Sequence, residues 1–253
     1  MNHRPPPGTL LATLTLAAAA LAGCAAPTPE PNAPSRPVAD APDTSGERTS
    51  ALQSLQSLPV KSPAPQSGYD RHARFGTAWS DTTAAPGSQN SCDTRNDILG
   101  RDLTGITYRR GSTCTIASGR LKDPYTATTI DFVRGPRSAT VQIDHVVALS
   151  ASWKTGAAHL PQERRAALAN DPLNLIASSG PANQRKSDFD AAGWLPANKT
   201  FQCPYVARQI AVKAKYRLWV TAPERDAMNR VLETCPGQPL PTDTSAGVIL
   251  PTS

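Results

Sequence analysis

The sequence predicts an α+β fold, a small antiparallel sheet followed in the chain by helices that cover it. Two observations carry this expectation. Between residues 105 and 143 the apolar residues fall in short β-branched runs separated by turn formers, and from 161 to 232 the segments lengthen, open on proline and fill with helix formers. Strands first and helices afterwards is the order of a sheet with helices on one side. In chain order, Gly105–Arg109, Cys114–Ala117, Thr129–Val133 and Val141–Ile143 read as strands, with Arg120–Tyr125 a connection turned by Asp123-Pro124. Pro161–Ala169, Pro181–Trp194, Pro204–Val220 and Pro223–Leu232 read as helices, because the first helical turn tolerates a residue without an N–H. Trp153, Trp194, Tyr205 and Trp219 are expected in the core.

The domain is expected to span residues 69–235 of the 253. Residues 1–23 read as an export signal: Arg4, an apolar run from Leu10 to Leu21, then small residues, with the run too short to span a bilayer comfortably. Leu21-Ala22-Gly23-Cys24 resembles the lipobox of bacterial lipoproteins, which implies lipidation at Cys24 and a place on the outer face of the cell membrane, or secretion. Residues 24–68, with nine prolines among Ser, Thr, Ala and Asp, are too polar to offset chain entropy and are expected to be a disordered tether. Within it, Leu52, Leu55 and Leu58 fit either a helical turn or a piece docked on the domain. Residues 236–253 are expected to be a disordered tail.

Four cysteines remain after Cys24: Cys92, Cys114, Cys203 and Cys235, an even number in a chain bound for an oxidising compartment. Three pairings are open, and local loop closure favours Cys92 with Cys114 and Cys203 with Cys235. The sequence contains no closely spaced pair of the zinc-knuckle kind. From Tyr69 to Cys235 there are 22 Lys+Arg against 15 Asp+Glu, a formal +7, which fits an anionic partner without establishing one.

Of the histidines, His3 falls in the signal, and His72 and His159 have no ligand-like neighbour and read as structural or exposed. His145 stands apart. It follows Val141-Gln142-Ile143-Asp144, so a strand delivers adjacent Asp and His side chains to its end on opposite sides of the chain. Downstream come Asp171-Pro172-Leu173-Asn174-Leu175 and, nine residues after Asn174, Asn183 in Asn183-Gln184-Arg185-Lys186. These stretches, with Cys92-Asp93-Thr94-Arg95-Asn96-Asp97, resemble the HNH endonucleases of the ββα-metal group, and within it the subfamily at the C-terminus of GmrSD-type restriction endonucleases. Ser187 departs from that pattern, in which Gly commonly follows the Lys, and is expected to alter the turn of the helix.

The resemblance implies a ββα-metal core and hydrolysis of phosphodiester bonds in DNA or RNA. It makes Asp144 and Asn183 ligands of one divalent ion, magnesium or manganese, and His145 the general base. Asn174 is implied to hold the backbone that orients His145, although a simple turn role is equally open. Lys186, three residues after Asn183 on a helix, shares its face and is expected to reach substrate phosphate, while Arg185 points elsewhere. Arg95 and Asp97 fit a buried ion pair under the sheet. In the segment from Pro204, Arg208 and Lys215 share one face and Lys213 and Arg217 another, so no single basic stripe forms. The chain has no GxSxG elbow, HExxH helix or P-loop. Two readings stay open: an extracytoplasmic nuclease acting as a monomer, and a surface lipoprotein that binds nucleic acid or a wall polymer without turnover.

Overall fold

A computed structural model describes residues 50–245; the export signal, Cys24 and the remainder of 1–49 and 246–253 lie outside the described residues. The described chain is α+β. Strands β1 (Leu103–Tyr108), β2 (Ile116–Lys122) and β3 (Thr129–Val133) form an antiparallel sheet in that order. A separate antiparallel pair joins β4 (Val141–His145) to β5 (Leu175–Ser179), with Asp144 opposite Ile176 and His145 opposite Leu175. Strand β2 runs through the stretch expected to be a connection, because Leu121 is buried and pairs with both Leu103 and Ile130. The turn falls where Asp123-Pro124 placed it, with the Asp123 carboxylate accepting from the Tyr125 and Thr126 N–H groups.

Two apolar clusters hold these elements. One joins α3 (Thr94–Asp102) to both sheets through Ile98, Leu99, Leu121, Phe132, Ile143 and Leu175. The other gathers α4 (Leu149–Lys154), α5 (Gln162–Asn170), α7 (Lys199–Lys215) and α8 (Ala222–Leu232) around Trp153, Leu168, Tyr205, Ile210 and Met228. Trp194 and Trp219 are half-buried rather than central. Helix α7 starts at Lys199, five residues before the expected start, and carries Pro204 inside it. Pro204 is the sixth residue of the helix, past the first turn, so it forgoes one helix hydrogen bond, and the buried Tyr205, Val206, Ala207 and Ile210 face secures the helix beyond it.

The domain is larger at both ends than composition indicates. Helix α1 (Ala51–Ser57) opens with a Ser50–Gln53 capping box and buries Ala51 and Leu55 completely, so the leucine repeat is a docked helix. Its Ala51 N–H donates to the Gln238 carbonyl at 2.9 Å, Lys61 N–H to Val220 and Ala64 N–H to Lys154. The start of the expected tail is tied down by Asp243, which pairs with Lys215 at 2.6 Å. Buried leucines and main-chain bonds offset the entropy that the proline-rich composition alone leaves unmatched. The disulfides are Cys92–Cys114 and Cys203–Cys235, the locally closing pairs.

Candidate functional site

The β4–β5 pair positions the site by simple alternation. Val141 and Ile143 face the cluster containing α3, and His145 shares their side; Gln142 and Asp144 face the opposite way, toward α6 (Gly180–Lys186). Adjacent residues therefore meet different surroundings, as the strand reading anticipates.

His145 is 7 % exposed. Its Nε2 lies 2.9 Å from the Ala169 carbonyl, which only an N–H can satisfy, so the proton sits on Nε2 and Nδ1 keeps its lone pair. Burial pushes its pKa down to about 3, the nearby Arg71 and Lys186 charges add to the effect, and the Ala169 bond opposes it. The imidazole is thus a neutral acceptor across the physiological range. Its ring stacks on Trp79, centroids 5.7 Å apart and planes 15° apart. Arg71 at the start of α2 (Arg71–Phe75), Trp79, His145, Ala169 and Asn170 border a cavity of about 10 Å³, near the volume that holds one water molecule.

On the other side of the strand, Asp144 is 5 % exposed and fully engaged. Its Oδ1 accepts from Lys186 Nζ at 3.0 Å and its Oδ2 from the Tyr125 hydroxyl at 2.5 Å. Burial raises the Asp144 pKa, and the Lys186 charge with the two hydrogen bonds opposes that rise. Lys186 has no exposed surface and also donates to the His145 carbonyl at 2.9 Å. This corrects the expectation that Lys186 meets substrate phosphate: its ammonium is spent on the strand end. Helix α6 stops at Lys186, short of the expected Trp194, because Ser187 turns the chain at φ 50°. That is a left-handed conformation suited to glycine, which gives a physical reason for the Gly of the resembling pattern.

Asn183 donates through Nδ2 to Gln142 Oε1 at 2.9 Å, so its partner on β4 is Gln142 and not Asp144. Asn174 grips the loop after His145: Oδ1 accepts from Val147 N–H at 2.9 Å, and Nδ2 donates to the Val147 and Leu168 carbonyls. Arg95 and Asp97 do not pair with each other. Arg95 reaches the Val141 carbonyl, and Asp97 accepts from Asn90 while burial lifts its pKa to about 6. Two basic residues of α7 are likewise committed internally. Arg208 caps the Pro172 and Leu173 carbonyls, and Lys213 pairs with buried Glu224. His72 and His159 are exposed, and neither borders the cavity beside His145.

These contacts leave no place for the divalent ion implied by the resemblance. Asp144 already holds an ammonium at 3.0 Å, and Asn183 is turned to Gln142. Among the described residues no three His, Cys, Asp or Glu side chains gather to hold a metal. A dication beside Asp144 would meet the Lys186 charge, a repulsion strongest in a buried setting, so the residues as arranged do not fit it. Three site residues carry no motif in the sequence: Tyr125 falls in the stretch that reads as a connection, and Arg71 and Trp79 lie in a segment without a recognisable pattern. An aromatic directly after Asp123-Pro124 was the one available signal for Tyr125.

The family described as GmrSD restriction endonucleases, C-terminal domain, matches residues 93–231. An uncharacterized secreted protein of Arthroderma benhamiae is 34 % identical over 229 residues, which cover 90 % of this chain and 98 % of the relative. No solved structure matches the chain.

Proposed function

Because the chain belongs to the family of GmrSD restriction endonuclease C-terminal domains, we propose that it is an exported nuclease of the HNH type that hydrolyses phosphodiester bonds of DNA or RNA, with His145 as general base. The observation that supports this most is the His145 imidazole, whose Nε2 is tied to Ala169 and whose free nitrogen belongs to a ring bordering a water-sized cavity. In the step it performs, Nδ1 takes a proton from water as the water oxygen bonds to phosphorus. The opposite phosphorus–oxygen bond breaks, and the leaving oxygen is protonated by the imidazolium or by solvent. Arg71 is exposed at the same cavity and its side chain has no hydrogen bond or ion pair among the described residues, so it offers a positive charge to an incoming phosphate. Asp144, Tyr125 and Lys186 hold the strand end, and Asn174 the loop beyond it. No step is assigned to a divalent ion, since Lys186 occupies the carboxylate it would require.

Export is part of the proposal. Two disulfides suit an oxidising compartment, the relative is described as secreted, and the N-terminal segment reads as a lipoprotein signal with Cys24 as anchor. The domain is proposed to act as a monomer.

One observation favours the second reading, binding without turnover: His145 is closed over, with 7 % of its surface exposed. The purified, oxidised protein incubated with plasmid DNA and RNA, in magnesium, in manganese and in chelator, separates the two. Cleavage lost in His145→Ala supports the nuclease. Intact polymer in every condition, with retained binding in a mobility shift, supports the second reading.

A further inference from the structure

We infer that Trp79 is a positioning residue for His145, fixing the plane of the imidazole and hence the direction in which Nδ1 presents its lone pair. The inference deepens the nuclease reading and rests on it. A ring held by one hydrogen bond still pivots about the line from Nε2 to its acceptor, and the Ala169 carbonyl supplies only that one point. The nearly parallel indole 5.7 Å away removes the pivot, because rotation would drive the imidazole edge into it. Among the described residues Trp79 is the one aromatic side chain in ring contact with His145.

The backbone gives an independent observation. Trp79 sits at φ 61°, where a bulky side chain crowds its own carbonyl, so such a conformation persists only when the surroundings impose it. Here they do. The Trp79 carbonyl accepts from the Thr94 N–H at 3.2 Å, at the start of α3, and the ring packs on the cluster that includes Ile143 and Leu175. Helix α3 begins two residues after Cys92, which the Cys92–Cys114 disulfide ties to the entry of β2. The fold therefore holds an unfavoured Trp conformation against the reactive imidazole.

The test uses Trp79→Leu and Trp79→Phe in the full oxidised protein, with kcat and KM on a nucleic-acid substrate and the His145 ring-proton resonances, assigned with His145→Gln. Misorientation of a reacting group by about 1 Å costs on the order of 100-fold. Trp79→Leu is expected to lower kcat about 10- to 100-fold at nearly constant KM. It should also move the His145 ring protons downfield as the indole ring current is lost. Trp79→Phe is expected to retain most of kcat. An unchanged kcat in a folded Trp79→Leu protein, or a rise in KM alone, overturns the inference. If the leucine variant does not fold, the phenylalanine variant decides: unmoved His145 protons overturn the stacking, and a reduced shift with kcat largely kept supports it. A wild-type protein that cuts no nucleic acid removes the nuclease reading and the positioning role with it. Cutting that is indifferent to residue 79 removes only the latter.

Discussion

Replacing Lys186 with Met tests how the strand end is held. The two side chains have similar length and volume, so the substitution removes a charge and two hydrogen bonds while leaving little cavity. Lys186 has no exposed surface and donates to Asp144 Oδ1 and to the His145 carbonyl, so its loss leaves a buried carboxylate whose remaining side-chain partner is the Tyr125 hydroxyl. Breaking a buried pair in this way costs about 3–5 kcal/mol, and the lower end applies because Asp144 can take up a proton. The sign follows from linkage. Burial already raises the folded-state Asp144 pKa, and removing the lysine raises it further, so the native state binds more protons than the unfolded one between the unfolded and folded values. Stability of the variant should fall as pH rises through that window. Urea unfolding of the oxidised protein at pH 5 and pH 8 measures this, and Asp144→Leu combined with Lys186→Met should recover at least about 1 kcal/mol relative to the sum of the single losses. A Lys186→Met loss under about 1 kcal/mol at pH 8, or strictly additive losses, would refute the account of a coupled buried pair.

Three other outcomes follow from the same contacts. Tyr125→Phe removes a hydroxyl bonded to Asp144 at 2.5 Å, and the loss of a hydrogen bond to a charged group should cost about 1.5–3 kcal/mol in urea unfolding. Because the His145 pKa is depressed to about 3 from an ordinary 6.5, stability present above pH 6.5 is lost as pH falls toward 3, and His145→Gln should flatten that acid limb; an unaltered limb counts against it. Reducing Cys203–Cys235, which spans 32 residues, should cost about 3–4 kcal/mol by loop entropy, read as a fall in the thermal midpoint of Cys203→Ser with Cys235→Ser.

Much of the fold was legible because it depends on local pattern. Strand β3 and helices α5 and α8 fall within a residue of the expected bounds, where β-branched runs or proline-initiated segments coincide with burial. What escaped depends on partners distant in sequence. Strand β5 is buried at every position, so it shows no alternation, and only its pairing with β4 defines it. The ends at residues 50–68 and 236–245 look disordered by composition, yet Ser50 bridges to Pro239 and Val60 to Val220, contacts that no local window reveals.

The site divides along the same line. Period two in a strand sufficed to send Asp144 and His145 to opposite sides, but it could not say what each side contained. On one side lies a helix whose register delivers Lys186 rather than Asn183 to the carboxylate. Three residues along a helix give nearly the same face, and an arm as long as lysine's reaches inward as readily as outward, so spacing alone left its direction open. On the other side, Arg71 and Trp79 arrive from more than 60 residues upstream in a segment with no periodic signal. The chemistry of the strand end is therefore set by two segments that converge on it. Α6 supplies the cation that holds the acid, and the segment ending at Trp79 supplies the wall that aims the base.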